Sequence, residues 1–325
     1  MRIVISGVSS FLGRASAEAL LARGHHVIGI VRPGSRNTAG LQDAGLRALR
    51  LVRFDFDTLP TAEEGRYRAA LSEAMGRDAQ TAVIDGWIHF AWDGVGSAGR
   101  QDPEIQTRNV ENAKKAYRMA ELLGAGKFLF AGSQAEYGNG TKSAPQPVSA
   151  YGSAKLRFGE WAAAESRKQG TMAFLHLRIY SVYGYGDHPT TLTNTLSRAC
   201  LSGDGFALGP CTQRWNYLEI RDFAAALCLL TEQTAAGNGI YDIAGESTKP
   251  LRDYVLEGAE TLLSAGDSAA GAGFRLHFGV RRDNAEGTAG MDPDIRRLSA
   301  LGFRQQISFR EGMLELRRRI LEEQG

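Results

Sequence analysis

The amino-acid sequence predicts an α/β protein with a doubly wound, mainly parallel sheet and a smaller C-terminal lobe. Short apolar runs alternate with helical patterns over residues 2–180, which is the order of a sheet with connecting helices. The runs are continuously apolar, as expected of parallel strands that are buried on both faces. After about residue 181 the pattern loosens into loops rich in Gly and Pro, followed by shorter segments.

Six apolar runs are predicted to form the strands of this sheet. Each run is short and apolar, as a strand inside a covered sheet is. The first run, RIVISG, is the clearest because it is β-branched. In chain order the predicted strands are residues 2–7, 26–31, 48–55, a segment within 83–92, 127–132 and 172–180.

Helical patterns separate the strands. Asp102 and Pro103 suit the N-cap and the first position of the longest helix, and Gly124 suits its end. Gly24 is expected to stop the first helix in the same way. The predicted helices are residues 14–24, 102–123 and 149–168.

Composition excludes several classes of protein. The chain has 325 residues, of which 43% are hydrophobic and 23% charged, as in a globular protein with a full core. The net charge of +2 gives no strong field for nucleic acid, and no apolar run approaches the ~18 residues of a membrane span. The three cysteines form no CxxC pair, so we expect packing residues and no metal site. Met1 runs directly into an apolar strand without a signal-peptide pattern, so we expect a cytoplasmic protein.

The turn after the first strand, SGVSSFLG at residues 6–13, has the form of a dinucleotide-binding loop with one glycine replaced. Gly7 and Gly13 stand where such a loop needs a tight bend and close packing of helix on strand, and Ser10 stands where a glycine would let the backbone approach a pyrophosphate. The Ser10 hydroxyl can instead donate to a phosphate oxygen, beside the free N–H groups of the helix start. We therefore expect a Rossmann-type sheet whose loop holds the cofactor through Gly7, Ser9, Ser10, Phe11, Leu12 and Gly13.

The end of the second strand indicates the form of the cofactor. An acidic residue at this position would hydrogen-bond the adenosine ribose and favour NAD. The sequence has Arg32 instead, followed by Ser35 and Arg36, and a guanidinium fits a 2′-phosphate. Ser9 could add a hydroxyl to the same phosphate. The expected cofactor is NADP(H), with NAD(H) as the alternative.

The pattern YGSAK at residues 151–155 indicates acid–base chemistry. Its spacing puts Tyr151 and Lys155 on one helix face. A phenol titrates near pH ~10, and a nearby ammonium stabilises the phenolate and lowers that pKa, so the tyrosine becomes a usable acid or base. Ser133 ends the fifth predicted strand, where its hydroxyl could hold a substrate oxygen beside Tyr151.

Together these segments resemble the extended short-chain dehydrogenases/reductases, and more narrowly the NAD-dependent epimerase/dehydratase group that acts on nucleotide-activated sugars. The resemblance runs from residue 1 to about residue 245 and continues more weakly to the end. It is carried by the glycine loop, FAGSQAEYG at 130–138, YGSAK at 151–155, LRIYSVYG at 177–184 and QRWNYLEIRDFAAAL at 213–227.

The resemblance implies a role for each matching residue. Ser133 and Tyr151 would bind the reacting sugar oxygen, with Tyr151 exchanging its proton and Gln134 beside the substrate. Lys155 would hold the nicotinamide ribose and tune Tyr151, and Asn109 would support the site from its helix. The remaining cofactor neighbours would be Asp55 and Phe56 at the adenine, Phe90, Ala91 and Trp92 along the phosphate–ribose path, and SVYGYGD at 181–187 near the nicotinamide.

The resemblance also implies arginines that clamp the substrate. Arg214, in QRWNY, matches the arginine that holds the pyrophosphate of a sugar nucleotide, and a second clamp would be Arg281 or Arg282. Bidentate arginine suits a diphosphate. The implied substrate is therefore a nucleotide-diphosphate sugar.

One departure from the family is informative. The sugar 4,6-dehydratases carry an Asp–Glu pair directly after the position of Ser133, and those acids run the elimination step. Gln134 and Ala135 occupy the two positions here, and neither side chain can exchange a proton readily. Glu136 is one place further on and is expected to point elsewhere. The sequence therefore favours a carbonyl–alcohol interconversion.

The leading hypothesis is NADPH-dependent reduction of a nucleotide-linked 4-keto-6-deoxyhexose to the 4-hydroxy sugar, with Tyr151 as proton donor. The first alternative is a nucleotide-sugar 4-epimerase with a tightly bound nicotinamide. The second is a non-catalytic NADP-binding redox sensor on the same fold, which the Tyr–Lys pair disfavours.

The predicted division has a dinucleotide-binding domain over residues 1–181, to which residues 213–245 return. Residues 182–212 and 246–325 would form the substrate-binding lobe. The helices at 102–123 and 149–168 resemble those that pair into a four-helix dimer interface in this family, so a homodimer is expected.

Overall fold

The structure is a computed structural model that describes residues 1–35, 38–42, 44–57, 64–74, 83–96, 98–265, 273–281 and 292–323. Its strands are, in chain order, β1 (Arg2–Ser6), β2 (His26–Val31), β3 (Arg50–Arg53), β4 (Gly86–His89), β5 (Lys127–Ser133), β6 (Ala173–Ile179), β7 (Ser181–Tyr183), β8 (Gly205–Ala207), β9 (Arg214–Trp215), β10 (Tyr217–Glu219), β11 (Gly239–Ile243), β12 (Lys249–Pro250) and β13 (Arg275–His277). Its α-helices are α1 (Phe11–Ala22), α2 (Glu64–Ala74), α3 (Pro103–Leu122), α4 (Ala150–Gln169), α5 (Leu192–Ser202), α6 (Ile220–Glu232), α7 (Leu251–Ser264), α8 (Arg296–Ala300) and α9 (Phe309–Glu322).

A seven-stranded sheet forms the centre of the protein, in the order β11-β6-β5-β4-β1-β2-β3. Every neighbouring pair in this sheet is parallel. The chain runs outward in one direction from β1 through β2 to β3 and in the other through β4 to β11. The predicted doubly wound, Rossmann-type α/β fold is therefore confirmed, with its switch point between β1 and β4.

The two faces of the sheet are covered by different helices. On one face α1 and α6 pack through Ala17, Leu20 and Phe223. On the other face α3 and α4 pack through buried residues such as Val110 and Phe158. Strands enclosed in this way must be apolar throughout, which is why the sequence shows continuous apolar runs.

The predicted element boundaries are close to those of the structure, with one instructive difference. Asp102 caps α3 as predicted, since its side chain accepts from the N–H groups of Glu104 and Ile105. The first helix begins at Phe11 rather than at residue 14, because the Ser10 side chain accepts from the Gly13 N–H and caps it three residues early.

The C-terminal part builds a second core beside the carboxyl edge of the sheet. Helices α5, α7 and α9 enclose it through Leu196, Val255 and Met313. In contrast, β11 returns to the main sheet, and α6 packs on α1. The division into a cofactor domain and a substrate lobe remains a prediction, as does the homodimer through α3 and α4.

In the part of the chain that the structure describes, no helix combines the length and the apolar character that crossing a bilayer requires.

Candidate active site

A large cleft of about 1080 Å³ opens at the carboxyl ends of β1, β4, β5 and β6. This is the edge at which parallel sheets bind ligands. The other side of the cleft is formed by the segment after β6 and by Trp215 and Tyr217, which pack in the second core. The predicted site residues that line it are Ser9, Ser10, Phe11, Leu12, Phe90, Trp92, Ser133, Gln134, Tyr151 and Lys155.

The loop after β1 has the geometry of a phosphate cradle. Gly7 has a φ of +78°, and a Cβ there would lie 2.6 Å from the Ala91 backbone nitrogen, so only glycine fits this bend. A Cβ at Gly13 would overlap the Gly7 carbonyl oxygen, which keeps α1 tight against the loop. Ser9, Ser10, Phe11 and Leu12 then face the cleft with the helix start. The first N–H groups of a helix have no partner within it, so this loop fits the diphosphate of a dinucleotide.

Ser10, which replaces the middle glycine of the loop, has a structural task as well. Its Oγ accepts from the Gly13 N–H at 3.1 Å and caps α1. That bond uses an acceptor lone pair of the hydroxyl and leaves its O–H as a donor. Donation from Ser10 to a phosphate oxygen therefore fits the geometry and stays a prediction.

Tyr151 and Lys155 lie together in the cleft wall, in the first turns of α4. Their side chains are 8% and 3% exposed, and the Lys155 Nζ is 5.6 Å from the centre of the Tyr151 ring. The ammonium donates to the Ala131 carbonyl oxygen at 2.6 Å and lies 3.8 Å from the centre of the Trp92 ring. The lysine is thus held between β5 and the end of β4, with the tyrosine beside it.

The environment of Lys155 favours the neutral form of its side chain. Burial holds the pKa of its ammonium well below the ordinary value of 10.5. The positive charge of Arg100 acts in the same direction, and the negative charge of Glu136 opposes it. Trp92 is fixed over the ammonium because its Nε1 donates to the Gln106 Oε1 at 2.7 Å.

Ser133 lies at the end of β5 and caps a short helical turn over Gln134–Glu136. Its Oγ accepts from the Ala135 N–H at 3.2 Å, and its backbone N–H donates to the Glu136 carboxylate at 2.8 Å. The hydroxyl keeps its own proton for donation into the cleft. Gln134 and Ala135, at the positions of the dehydratase acids, also line the cleft.

Glu136 points into the protein, as expected, and is fully buried. It accepts from His176 Nε2 at 3.0 Å and from Arg178 Nε at 3.0 Å. Burial alone would raise the pKa of Glu136, but the charges and hydrogen bonds of His176 and Arg178 and the Ser133 N–H hold it below its ordinary value. This carboxylate is therefore a structural support for the Ser133 turn and is not available to a substrate.

The start of α4 packs directly on the turn that carries Ser133. A Cβ at Gly152 would overlap the Ala135 carbonyl oxygen, so the residue next to Tyr151 must be glycine for this approach. Ser149 caps α4 by accepting from the Gly152 N–H at 3.0 Å. The tyrosine and the serine are thereby held in one rigid wall.

The predicted support by Asn109 has a clear geometry. Its side-chain amide accepts from the Asp93 N–H at 3.0 Å and donates to the Asp93 carbonyl oxygen at 2.9 Å. These two hydrogen bonds to Asp93 fix the chain just after Trp92. Phe90 and Trp92 reach the cleft, whereas Ala91 lies against Gly7.

Several predicted residues lie away from the cleft wall. Arg32 is exposed and forms an ion pair of 2.7 Å with Asp93. Asp55 follows β3 and accepts from the Asp57 N–H, and the Phe56 side chain packs into the core against His89. Their contacts with an adenosine stay predictions.

The predicted substrate clamps lie outside the cleft as well. Arg214 makes a bidentate pair with Asp292, at 2.8 and 3.0 Å. Arg281 is exposed, with its backbone N–H bonded to the Leu208 carbonyl. Arg282 lies outside the described residues. Their roles as diphosphate clamps stay predictions.

The structure adds cleft residues that the sequence analysis did not single out. Arg14, in the first turn of α1, and Arg100, just before α3, both line the cleft. His188 also lines it, in the segment that follows β7. No local pattern marks these residues, since each reaches the cleft only through the path of a loop or the start of a helix.

Comparison with known proteins agrees with this geometry. The family model of the NAD dependent epimerase/dehydratase family matches residues 3–244. An uncharacterized protein of Schizosaccharomyces pombe, C2A9.02, is 25% identical over 255 residues, which is 78% of each chain.

Solved structures share the whole fold at low identity. A UDP-glucose 4-epimerase from Thermotoga maritima, with UDP-glucose, superposes with a TM-score of 0.80 at 16% identity over 100% of both chains. MoeE5, in complex with UDP-glucose and NAD, has a TM-score of 0.77 at 22% identity over 100% of both chains. A UDP-N-acetylglucosamine 4-epimerase from Methanobrevibacter ruminantium has a TM-score of 0.81 at 17% identity over 99% of this chain and 98% of the other. With the family model covering most of its length, this chain belongs to the NAD dependent epimerase/dehydratase family.

Proposed function

We propose that this chain reduces the keto group of a nucleotide-linked 4-keto-6-deoxyhexose to a hydroxyl group, with NADPH as the reductant. One observation carries the proposal: Tyr151, Lys155 and Ser133 share a single cleft with the phosphate-cradling loop after β1. A large pocket with few convergent polar groups is the usual form of a small-molecule site.

The residues of the chain can supply everything the reduction needs besides the hydride. The nicotinamide, when bound, would supply that hydride to the keto carbon. Tyr151 would donate its phenolic proton to the developing oxyanion, and the Ser133 hydroxyl would hold the same oxygen. Addition of one hydride and one proton to the ketone gives the alcohol, so no further reactant is needed.

The same wall disfavours dehydration. Elimination of water from a sugar needs a base and an acid next to the reacting carbons. Gln134 and Ala135 offer neither, and the Glu136 carboxylate is occupied by His176 and Arg178. The remaining chemistry at this site is transfer of a hydride and a proton between carbonyl and alcohol.

The preference for NADPH depends on Arg32. Its pair with Asp93 lies at the surface, with an exposed guanidinium and a half-buried carboxylate, and surface pairs contribute only about 0–1 kcal/mol. A 2′-phosphate offers the same guanidinium a charge-assisted, bidentate contact, which is stronger. Arg32 can therefore exchange Asp93 for a phosphate at small cost.

Arg214 could exchange its carboxylate partner in a similar way, where the sugar nucleotide would bind. Its bidentate pair with Asp292 is exposed, so a diphosphate could replace the carboxylate. The neighbouring Trp215 and Tyr217 line the cleft, which puts the backbone of Arg214 beside it. We propose that Arg214 turns to the pyrophosphate of the sugar nucleotide on binding.

The second candidate function is 4-epimerisation of a nucleotide sugar. It is favoured by the structural neighbours, among them epimerases and complexes with NAD, and by Asp93, which gives Arg32 a partner without any phosphate. An epimerase would oxidise the alcohol and reduce the ketone again on the opposite face, with no net use of cofactor. The same Tyr151 would exchange the proton in both steps.

One set of measurements separates the two functions. The protein is incubated with CDP-, dTDP-, UDP- and GDP-linked 4-keto-6-deoxyhexoses, and NADPH absorbance is followed. A reductase consumes one NADPH for each hydroxyl formed. An epimerase releases bound NAD(H) on denaturation, as mass spectrometry would show, and converts a nucleotide sugar with no added cofactor. If the protein showed neither reduction nor epimerisation with any of these substrates, that result would contradict the proposal.

A further inference from the structure

A second cation lies against the proposed proton donor. The Arg100 Cζ is 4.1 Å from the centre of the Tyr151 ring, which is closer than the 5.6 Å of the Lys155 Nζ. Both Arg100 and Tyr151 line the cleft. A guanidinium at this distance over an aromatic face is a cation–π contact, and it strengthens when the ring becomes a phenolate.

The turn that carries Arg100 is fixed in place. It spans Gly99–Gln101, between the end of β4 and the start of α3. The buried Gln106 side chain donates to the Gly99 carbonyl at 2.9 Å and to the Gly94 carbonyl at 3.2 Å. The Arg100 N–H donates to the Gly96 carbonyl at 3.0 Å. The guanidinium is therefore presented to Tyr151 by a constrained loop.

The two cations differ in how firmly they hold their charge. Lys155 is enclosed by β5 and Trp92, and burial lowers the pKa of its ammonium well below the ordinary value. A guanidinium stays protonated under all conditions in which proteins fold. The permanent positive charge beside the phenol is thus that of Arg100.

We propose that Arg100 is a positioning residue for Tyr151: it holds the ring against the cleft wall and supplies the lasting positive charge that favours the phenolate. This inference rests on the proposed function of Tyr151 as the proton donor. It adds a residue from the α3 side of the cleft to a site otherwise built on β5 and α4.

Other charged groups around Tyr151 set the background for its titration. Lys155 lies on the same helix, and Glu136, after β5, acts on Lys155 with the opposite sign. His89, on β4, is neutral at physiological pH, because burial and the charge of Lys155 lower its pKa to about 3. Asp187 and His188 face the cleft from the segment after β7. All of these remain when Arg100 is replaced, so the comparison isolates one charge.

The test titrates the tyrosine directly. Protein labelled with ¹³Cζ-tyrosine is titrated by NMR, and the Tyr151 resonance is assigned as the one that disappears in Tyr151→Phe. The pKa of Tyr151 is then measured in the wild type, Arg100→Gln, Arg100→Met and Arg100→Lys. Arg157→Gln is the matched control, since this arginine is exposed on the same helix as Tyr151.

The proposal predicts that both neutral replacements raise the pKa of Tyr151 by about one to three units, the usual effect of an opposite charge within ~4–6 Å. Arg100→Lys should recover most of that shift, and Arg157→Gln should leave the pKa unchanged. Equal pKa values in the wild type and in the neutral variants, with the fold intact by circular dichroism, would overturn it. Unfolding of both neutral variants would also overturn it, because Arg100 would then act on the fold.

The titration requires no substrate or cofactor. The role of Arg100 can therefore fail while a keto sugar is still reduced, and it can hold while no keto sugar is accepted.

Discussion

Glu136, His176 and Arg178 form a buried cluster. Replacing Glu136 by glutamine removes the negative charge of this cluster. The Glu136 carboxylate is 0% exposed, and Arg178, at 3% exposed, depends on it for its ion pair of 3.0 Å. Glutamine has almost the same shape, so the substitution leaves packing intact and changes the charge. The guanidinium of Arg178 would then be buried with the charge of its partner lost.

Breaking a buried ion pair by removing one partner costs about 3–5 kcal/mol of unfolding free energy. An unfolding entropy of about 2.1 cal/mol/K per residue over 325 residues is about 0.7 kcal/mol/K. The expected fall in Tm is therefore about 4–7 °C. The control is Glu165→Gln on α4: this carboxylate is half-buried, but its partner Lys168 is exposed, so loss of the pair should cost less than about 1 kcal/mol.

The assay is thermal unfolding of wild type and both variants, followed by circular dichroism at neutral and acidic pH. The pKa of Glu136 in the folded protein lies below its ordinary value of 4.5, so its carboxylate stabilises the fold above that pH and the contribution is lost as the pH falls. The difference between wild type and Glu136→Gln should therefore narrow in acid. A Tm for Glu136→Gln equal to that of the wild type at neutral pH would refute this reasoning.

Three further substitutions test other parts of the site. Ser10→Ala removes the cap of α1 and should cost about 1 kcal/mol in urea unfolding, whereas Ser10→Gly should cost a few tenths; equal losses would show that the cap does not act as described. Gly152→Ala should lower kcat at least about tenfold by pushing α4 away from the Ser133 turn, and Gly237→Ala, where a Cβ meets open space, should leave kcat unchanged. Arg32→Asp should raise the KM for NADPH about tenfold or more and favour NADH, because a carboxylate repels the 2′-phosphate and suits a ribose; an unchanged cofactor preference would exclude Arg32 from the cofactor site.

Much of the fold was predictable because it depends on local chemistry. Apolar runs such as RIVIS and AFLHLRI are long enough to be recognised as buried strands, and Asp102 with Pro103 marks a helix start unambiguously. The predicted start of α1 at residue 14 is three residues late, because the prediction assigns Ser10 to a phosphate contact alone. Its hydroxyl also caps the helix, and the choice between those tasks depends on backbone angles that no periodicity shows.

The core of the site was predictable, and its periphery was not. Tyr151 and Lys155 are one helical turn apart, so their proximity follows from the sequence alone. Arg100 meets Tyr151 through the path of the loop after Trp92, which Gln106 helps to fix. The cluster of Glu136, His176 and Arg178 joins residues from a turn and a distant strand. Such contacts depend on how strands and loops are packed in three dimensions, and short motifs carry no signal for them.

The most direct test of the proposed chemistry is the turnover of Tyr151→Phe with a keto sugar and NADPH, measured beside the affinity for NADPH. Loss of the phenolic proton should lower kcat by about 10²–10⁴ and leave cofactor affinity nearly unchanged, because the ring remains and only the hydroxyl is removed. A kcat of Tyr151→Phe close to that of the wild type would contradict the assignment of Tyr151 as proton donor and with it the proposed reaction.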